Sequence, residues 1–205
     1  MPAPRAHSGA ELRLALAAVA LLLLSAPAFA AEAAIGATYE SEDLVTRAPG
    51  PAWKLNTVVQ GSPGVRGVYV LHREPEKGRN RSSLISFTID NEPLPPDPAK
   101  YADSTLAQLA EPPLSFKRGK SAEITVKGMP GVKSDYTDRD ALRTFSQVTL
   151  KMADGRLLLV VLQSPDAAAY ADDLGPLRDF LDGIAVKPRT PAKLAPPAPA
   201  PAPKP

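Results

Sequence analysis

The chain has 205 residues, of which 44% are hydrophobic and 22% charged, and its net charge is +2. It contains no cysteine and two histidines, which excludes a disulfide framework, a thiolate nucleophile, a cysteine-linked lipid and the common zinc ligand sets. Residues 31–186 hold 18 basic and 21 acidic side chains, a net charge of −3 that gives no indication of nucleic-acid binding.

The first thirty residues have the features of a secretory signal. An apolar run, Leu14–Ser25, is followed by Ala28-Phe29-Ala30, with small residues at the positions that a signal peptidase reads. The alternative is an uncleaved anchor, but the run is shorter than the roughly 20 residues that span a bilayer. We therefore expect cleavage after Ala30 and export to a bacterial periplasm or the extracellular space as a soluble protein. Residues 31–38 would form a short leader.

Alternating apolar and polar residues predict the strands of a single domain that spans residues 39–186. Strands are predicted at 43–47, 53–55, 67–73, 83–90 and 132–137, and residues 114–127 are predicted to form one or two further strands. Proline and glycine predict turns between them, at 48–53 and at 128–131.

Two helices are predicted among these strands. Asp97 and Pro98 cap and start the first, which runs to about Ala110. The second starts after Asp166 and is interrupted at Gly175-Pro176. The predicted buried stripes are Ala102, Leu106 and Leu109 in the first helix and Leu174, Leu177, Leu181 and Ile184 in the second. Because most connections are short, this order predicts an α+β fold, a largely antiparallel β-sheet flanked by helices.

The segment 147–165, QVTLKMADGRLLLVVLQSP, predicts a hairpin whose second strand is apolar on both faces. A two-residue Asp154-Gly155 turn is the type favoured in tight hairpins. This turn pairs Met152 with Leu157, Leu150 with Leu159 and Val148 with Val161 on one face, and Lys151 with Leu158, Thr149 with Val160 and Gln147 with Leu162 on the other. The second face is apolar on one strand only. Its residues Leu158, Val160, Leu162, Gln147 and Lys151 are the candidate surface for an apolar ligand, although a helix edge over the apolar half is the favoured alternative.

From Lys187 onward the chain is rich in proline and alanine, and all of its charges are basic. Proline fixes its own backbone angle and lacks a donor, so residues 187–205 are expected to be extended, polyproline-like and disordered. This tail is either a spacer or a semi-rigid arm that reaches an anionic surface such as a membrane or cell wall.

Catalytic patterns in the domain are incomplete. His72 is the one histidine that remains after signal removal, and a triad would need Ser82, Ser83 or Asp90 as its partners. None of these lies in a nucleophile-elbow motif. We therefore expect no enzyme, and a structural or surface role for His72.

Metal and phosphate patterns are also incomplete. Asp135, Asp138 and Asp140 lie close together, but the twelve-residue calcium loop with its central glycine is absent. The glycine-rich segment 61–67 lacks the lysine that ends a phosphate loop. We expect no metal and no cofactor. The basic loop with Arg79 and Arg81 is a second candidate contact for an anionic partner, after the tail, although a solvated charge run is its ordinary interpretation.

Four features make the chain similar to the PsbP-like fold family. They are APGPAW at 48–53, GMPGV at 128–132 with the tyrosine strand that follows, the hairpin segment 147–165, and a final helix with Phe180. The family includes the extrinsic PsbP protein of photosystem II, the Mog proteins that bind the GTPase Ran, and exported bacterial proteins of the DcrB type. The resemblance covers about Tyr39 to Ile184 and implies an α-β-α layered binding or assembly module. It implies no particular partner, because fold alone does not fix function.

The sequence therefore predicts an exported, non-catalytic binding or assembly factor of the periplasm or cell envelope, whose partner is a protein or an envelope component. An alternative is a carrier of a small apolar ligand held between the sheet and a helix. A hydrolase that uses His72 is the third hypothesis.

Overall fold

The computed structural model describes residues 38–40, 43–59, 68–73, 82–90, 97–140 and 142–187 of the chain. The predicted signal, the proline-rich part of the predicted tail, and the loop with Arg79 and Arg81 lie outside these ranges.

Over the described residues the chain forms ten strands and two helices. The strands are β1 (Thr38–Glu40), β2 (Leu44–Arg47), β3 (Trp53–Val59), β4 (Val68–Arg73), β5 (Ser83–Asp90), β6 (Lys117–Val126), β7 (Met129–Thr137), β8 (Thr144–Lys151), β9 (Leu157–Ser164) and β10 (Ala185–Val186), and the helices are α1 (Pro98–Ala110) and α2 (Ala167–Gly183).

The strands form two antiparallel sheets. In the large sheet the described strands are ordered β3-β4-β5-β9-β8-β7-β6, and in the small one β1-β2-β10. Each described strand pair is antiparallel. The predicted α+β fold with a largely antiparallel sheet is therefore confirmed.

Helix α1 begins as its sequence predicts. The Asp97 carboxylate accepts a hydrogen bond from the Ala99 amide at 2.9 Å, and Pro98 occupies the first helical turn. The predicted stripe is confirmed, because Ala102, Leu106 and Leu109 are all buried. This stripe packs the helix on β6, β7 and β8.

Helix α2 corrects two predictions. Gly175-Pro176 does not interrupt it, and Pro176 lies inside a continuous helix of 17 residues. Leu174 is 37% exposed rather than buried. The rest of the predicted stripe, Leu177, Leu181 and Ile184, is buried as expected. Ala169, Asp173 and Phe180 complete the buried face of the helix.

The two helices cover opposite faces of the large sheet. On the α2 face, even-numbered residues of β8 and β9 pack with Phe87 and Phe180, whose ring centroids lie 5.2 Å apart. Leu44 of the small sheet joins the same core. On the α1 face, Tyr136 stacks on Phe145 at 4.9 Å and Phe116 meets both rings edge-on. The result is an α-β-α layered domain with a filled centre.

Three predicted strand boundaries were wrong by three or more residues. β3 continues to Val59, β6 starts at Lys117 rather than 114, and β7 starts at Met129 rather than Val132. The last error follows from the turn: residues 127–128 form it, not 128–131, since Val126 pairs with Met129.

Candidate functional site

Among the strands of the large sheet whose burial is described in full, β6 is the most exposed. It forms a hairpin with β7, here called the β6–β7 arm (Lys117–Thr137). Eight of the ten residues of β6 are exposed, and the other two, Ile124 and Val126, are partly buried. β6 is the last strand of the described sheet order, so within the described chain no strand pairs with its outer edge. The arm therefore offers both side chains and backbone groups to solvent.

The arm also carries a charge opposite to that of the rest of the domain. Its five basic and two acidic side chains give a net charge of +3, namely Lys117, Arg118, Lys120, Lys127 and Lys133 against Glu123 and Asp135. The rest of residues 31–186 has 13 basic and 19 acidic side chains and a net charge of −6. An acidic partner is therefore attracted to the arm more than to the remaining surface.

The turn of the arm is the two-residue type in which both residues have positive φ. Lys127 has φ 49° and Gly128 has φ 81°, as expected for a tight hairpin turn with right-handed strand twist. The Lys127 ammonium donates to the Ile184 carbonyl at 3.0 Å, at the C-terminal end of α2, where cations are favoured. This contact fastens the tip of the arm to the α2 layer.

Two glycines of the arm allow close backbone approach, one to β8 and one within the arm. A Cβ on Gly131 would lie 2.2 Å from the Thr149 carbonyl oxygen of β8, and one on Gly119 would lie 2.9 Å from the Asp135 carbonyl oxygen. Gly119 and Lys120 form an irregularity opposite Asp135, between the pairs Arg118–Tyr136 and Ser121–Ser134. Beyond this bulge the pairing of β6 with β7 is regular up to the turn.

On the α2 face of the arm, four polar side chains converge. Asp135 Oδ1 accepts from Lys133 Nζ at 2.8 Å, from the Tyr170 hydroxyl at 2.7 Å and from Ser146 Oγ at 3.0 Å. Lys133 Nζ also lies 3.4 Å from the Tyr170 oxygen. The four side chains tie the first turns of α2 to β7 and β8.

The protonation of this cluster follows from its surroundings. Partial burial acts to lower the pKa of Lys133, but its hydrogen bond to Asp135 and the charge of Asp135 outweigh burial, so the pKa lies above its ordinary value. Burial raises the pKa of Tyr170, and its hydrogen bond to Asp135 adds to the rise. At neutral pH the cluster therefore contains an ammonium and an intact phenol.

On the α1 face, a cleft of about 410 Å³ separates the start of α1 from the arm. Its lining is mixed, with apolar Pro98, Ile124 and Val132 beside the carboxylates of Asp97 and Glu123. Asp97 is already engaged as the cap of α1. The cleft adds a concave surface next to the exposed strand.

The predicted pairing of the 147–165 hairpin was wrong by one residue. Leu150 pairs with Leu158 and Val148 with Val160, and residues 153–155 form a three-residue turn. Gly155 with φ 87° closes this turn, its amide donating to the Met152 carbonyl at 3.0 Å. A glycine in this conformation after a tight turn is the second common hairpin type. Since strand side chains alternate, the shift moves one strand's residues to the other face.

The shift separates the predicted site residues. Leu158, Val160 and Leu162 are 0% exposed and lie on the α2 face, packed into the main core. Gln147 and Lys151 pair with Val161 and Leu157 on the α1 face. These five residues do not form one surface, and Arg79 and Arg81 lie outside the described residues. Gln147 is buried, with its amide donating to Thr149 Oγ1 at 3.3 Å.

The predicted catalytic and acidic residues are also placed. His72 pairs with Leu84 while Ser83 pairs with Arg73, so His72 and Ser83 lie on opposite faces of the sheet. Asp138 accepts from the Leu142 amide at 2.8 Å and lies 3.3 Å from Arg143 Nε, which closes the loop before β8. Within the described ranges, no group of three His, Asp or Glu side chains lies close enough together to hold a metal ion.

The sequence did not identify Asp173 or the Lys133–Tyr170 contact. The Asp173 side chain is 0% exposed, accepts from Ser164 Oγ at 2.7 Å and pairs with Arg73 at 2.9 Å. The helical spacing indicates that Asp173 is buried, because it lies four residues after Ala169 and four residues before Leu177 on the same stripe of α2.

No helix among the described residues is long and apolar enough to cross a membrane.

An antiparallel sheet between two helices defines the class, an α-β-α layered domain. No family model and no curated protein matches the sequence. Among solved structures, cyanobacterial PsbP (CyanoP) from Synechocystis is similar, with a TM-score of 0.53 and 12% identity over 80% of this chain and 99% of that one. This likeness shows that the chain has the PsbP-like fold expected from the sequence.

Two further solved structures have lower TM-scores. The protein PA94 from Pseudomonas aeruginosa gives 0.48, with 17% identity over 75% of this chain and 99% of that one. LpqN from Mycobacterium tuberculosis, which is involved in cell envelope biogenesis, gives 0.49, with 16% identity over 75% of this chain and 86% of that one.

Proposed function

We propose that this protein is an exported, non-catalytic binding or assembly factor of the periplasm or cell envelope, and that it contacts its partner through the β6–β7 arm. The observation that carries the proposal is the contrast in coverage along one sheet. The central strands β8 and β9 are covered on both faces by α1 and α2, whereas β6 is exposed along most of its length and lies in the basic part of an acidic domain.

The filled interior supports binding at the surface. Leu158, Val160 and Leu162 meet the chain's own Leu177, Phe180 and Leu181, so the space between β9 and α2 is occupied by the protein itself. The charge of the arm supports an acidic partner, because potentials of opposite sign raise the rate of encounter.

Export is tested by the N-terminus of the protein in its own cells. The secretory signal predicts that the mature chain starts at Ala31 and is found outside the cytoplasm. N-terminal sequencing of the fractionated protein checks both. A chain that retains Met1 in the cytoplasm contradicts export.

The contact surface is tested by photo-crosslinking in the producing cells. A photoreactive residue is placed at Lys120 or Thr125 of β6, and the matched control carries it at Asp172 or Arg178, exposed on α2. We expect a discrete protein adduct from the β6 positions and none from α2. Equal adducts from both surfaces, or turnover of a substrate by the purified protein, contradict the proposal.

The cleft favours a second candidate, carriage of a small ligand. Its volume of about 410 Å³ falls within the usual range of small-molecule sites, about 300–1,000 Å³, and Pro98 and Val132 supply apolar contacts. Native mass spectrometry of the purified protein distinguishes the candidates. The arm proposal predicts the mass of the polypeptide alone, and a co-purifying small molecule supports the carrier.

A further inference from the structure

We propose that the outer edge of β6 between Ser121 and Val126 binds an extended, acidic segment of a partner protein as an added antiparallel strand. This inference rests on the proposed function and names the partner's chemistry. A sheet edge recognises an extended segment through backbone hydrogen bonds, which supply affinity, and through alternate side chains, which supply specificity.

The backbone of this part of β6 is suited to such addition. From Ser121 to Val126 each residue pairs in regular register with β7, which fixes the direction of its outward N–H and C=O groups. The segment ends the described sheet order. Six residues are also close to the usual length of a strand.

The side chains of the segment alternate between apolar and polar, which a partner strand can match. Ala122, Ile124 and Val126 alternate on the α2 face, and Ile124 and Val126 already touch the main core. Apolar residues at every second position of an added strand would extend this stripe. Ser121, Glu123 and Thr125 on the other face suit polar partners, which favours a segment that alternates apolar and polar residues.

Charge selects the occupant. Lys117, Arg118 and Lys120 precede the regular segment, and the arm as a whole carries +3. A second copy would bring +3 against +3 across the edge. The chain's own tail is basic and rich in proline, which cannot donate to a ladder. An acidic stretch on the partner is not repelled by the arm, and without proline it keeps the N–H donors that a ladder needs.

The arm also carries two features that protect edges against unwanted pairing, a bulge and lysines. Both lie at the start of β6, in the bulge at Gly119-Lys120 and in the neighbouring basic residues. The regular segment keeps one charge, Glu123, and no bulge. The lysines therefore repel a basic strand, and they attract an added strand whose acidic residues lie beside Lys117–Lys120 rather than beside Glu123.

The test measures amide hydrogen exchange of the purified mature chain with the peptide acetyl-Thr-Val-Thr-Val-Thr-Glu-Glu-Glu-amide. In antiparallel addition the glutamates lie beside Lys117–Lys120. Two further peptides are methylated on the amide nitrogens of either the valines or the threonines. Because alternate amides of a strand point to one side, strand addition requires that one methylated peptide binds and the other does not. A peptide with lysine in place of glutamate is the charge control.

We expect alternate amides of Ser121–Val126 to exchange at least tenfold more slowly with the acidic peptide. The double variant Lys117→Glu/Lys120→Glu should weaken binding at least tenfold, and the matched variant Arg47→Glu/Arg178→Glu, which changes net charge equally on exposed residues elsewhere, should not. Absence of protection overturns strand addition, even where crosslinks to the arm leave the proposed function standing. If the β6 amides are protected without peptide and this protection grows with protein concentration, the occupant of the edge is a second copy of the chain. If the protection disappears when residues after Lys187 are removed, the occupant is the tail. Either result overturns the addition of a partner strand.

Discussion

Two hairpins of the same sheet show opposite outcomes of the same local rules. The β8–β9 hairpin and the β6–β7 arm are both antiparallel, and both have short turns with a glycine at positive φ. β9 reads LLLVVLQS and has buried residues on both faces, whereas β6 reads KRGKSAEITV and is mostly exposed.

The difference in burial between β9 and β6 separates the part of the sheet that forms the core from the part that is available for contact. β9 lies at the centre of the strand order, with α1 on one face and α2 on the other. β6 lies at the end of the described order, where the helices cover less. Substitutions in the β8–β9 hairpin should therefore affect stability, and substitutions in β6 should affect binding.

The largest difference is expected from apolar truncation in the two hairpins. Leu158→Ala opens a cavity in a fully buried position and should lower the free energy of unfolding by about 3–5 kcal/mol. Ile124→Ala at a partly exposed position should cost less than about 1.5 kcal/mol. Urea denaturation of both variants measures this, and equal losses would remove the distinction between the hairpins.

The ion pair between Arg73 of β4 and Asp173 of α2 should give the next effect. Asp173→Asn leaves Arg73 without its buried carboxylate, and we expect a loss of about 3 kcal/mol. Asp172→Asn, on the exposed side of the same helix, should change stability by less than about 0.5 kcal/mol. Thermal unfolding of the two variants checks this. If Asp173→Asn leaves the free energy of unfolding unchanged, the packing of α2 does not depend on the contact with Arg73.

Backbone packing between the two hairpins should give a smaller loss. Gly131→Ala places a Cβ 2.2 Å from the Thr149 carbonyl oxygen, so β7 must move away from β8 at a cost of about 2 kcal/mol. Gly50→Ala, where nothing lies within 4 Å, is the matched control and should change stability by less than about 0.5 kcal/mol. If both substitutions are neutral in denaturation, β7 is not held tightly against β8.

The smallest effect is expected at alkaline pH. Burial raises the pKa of Tyr136 far above its ordinary value of 10.0, so above pH 10 the folded chain keeps a proton that the unfolded chain loses. The free energy of unfolding then falls as pH rises, by at most about 1.4 kcal/mol per pH unit for this group. Tyr136→Phe should flatten the fall between pH 10 and 11. An unchanged slope means that Tyr136 does not contribute to it.

Much of the fold could be predicted because its local patterns are strong. The Asp97-Pro98 start placed α1, and alternation placed β4 and β5. The register of the β8–β9 hairpin could not be predicted, because an Asp-Gly pair fits both a two-residue and a three-residue turn. With both faces of β9 apolar, the hydrophobic pattern did not distinguish them.

The candidate site was less accessible from the sequence. Lysines in a strand indicate only that the strand is exposed to solvent. Whether they lie at a free sheet edge depends on the strand order, which the sequence does not show. The Lys133–Tyr170 contact joins residues 37 positions apart, which local patterns do not show. Leu158, Val160 and Leu162 were selected from a hairpin register that is wrong by one residue. The observed register places them in the buried core on the α2 face.

The most direct test of the central claim is partner capture from envelope extracts with two charge-matched variants. Lys117→Glu/Lys120→Glu changes the arm, and Arg47→Glu/Arg178→Glu changes the net charge equally elsewhere. We expect the arm variant to lose most of a protein that the native chain captures, while the matched variant retains it. Equal capture by both variants would contradict a binding role for the β6–β7 arm.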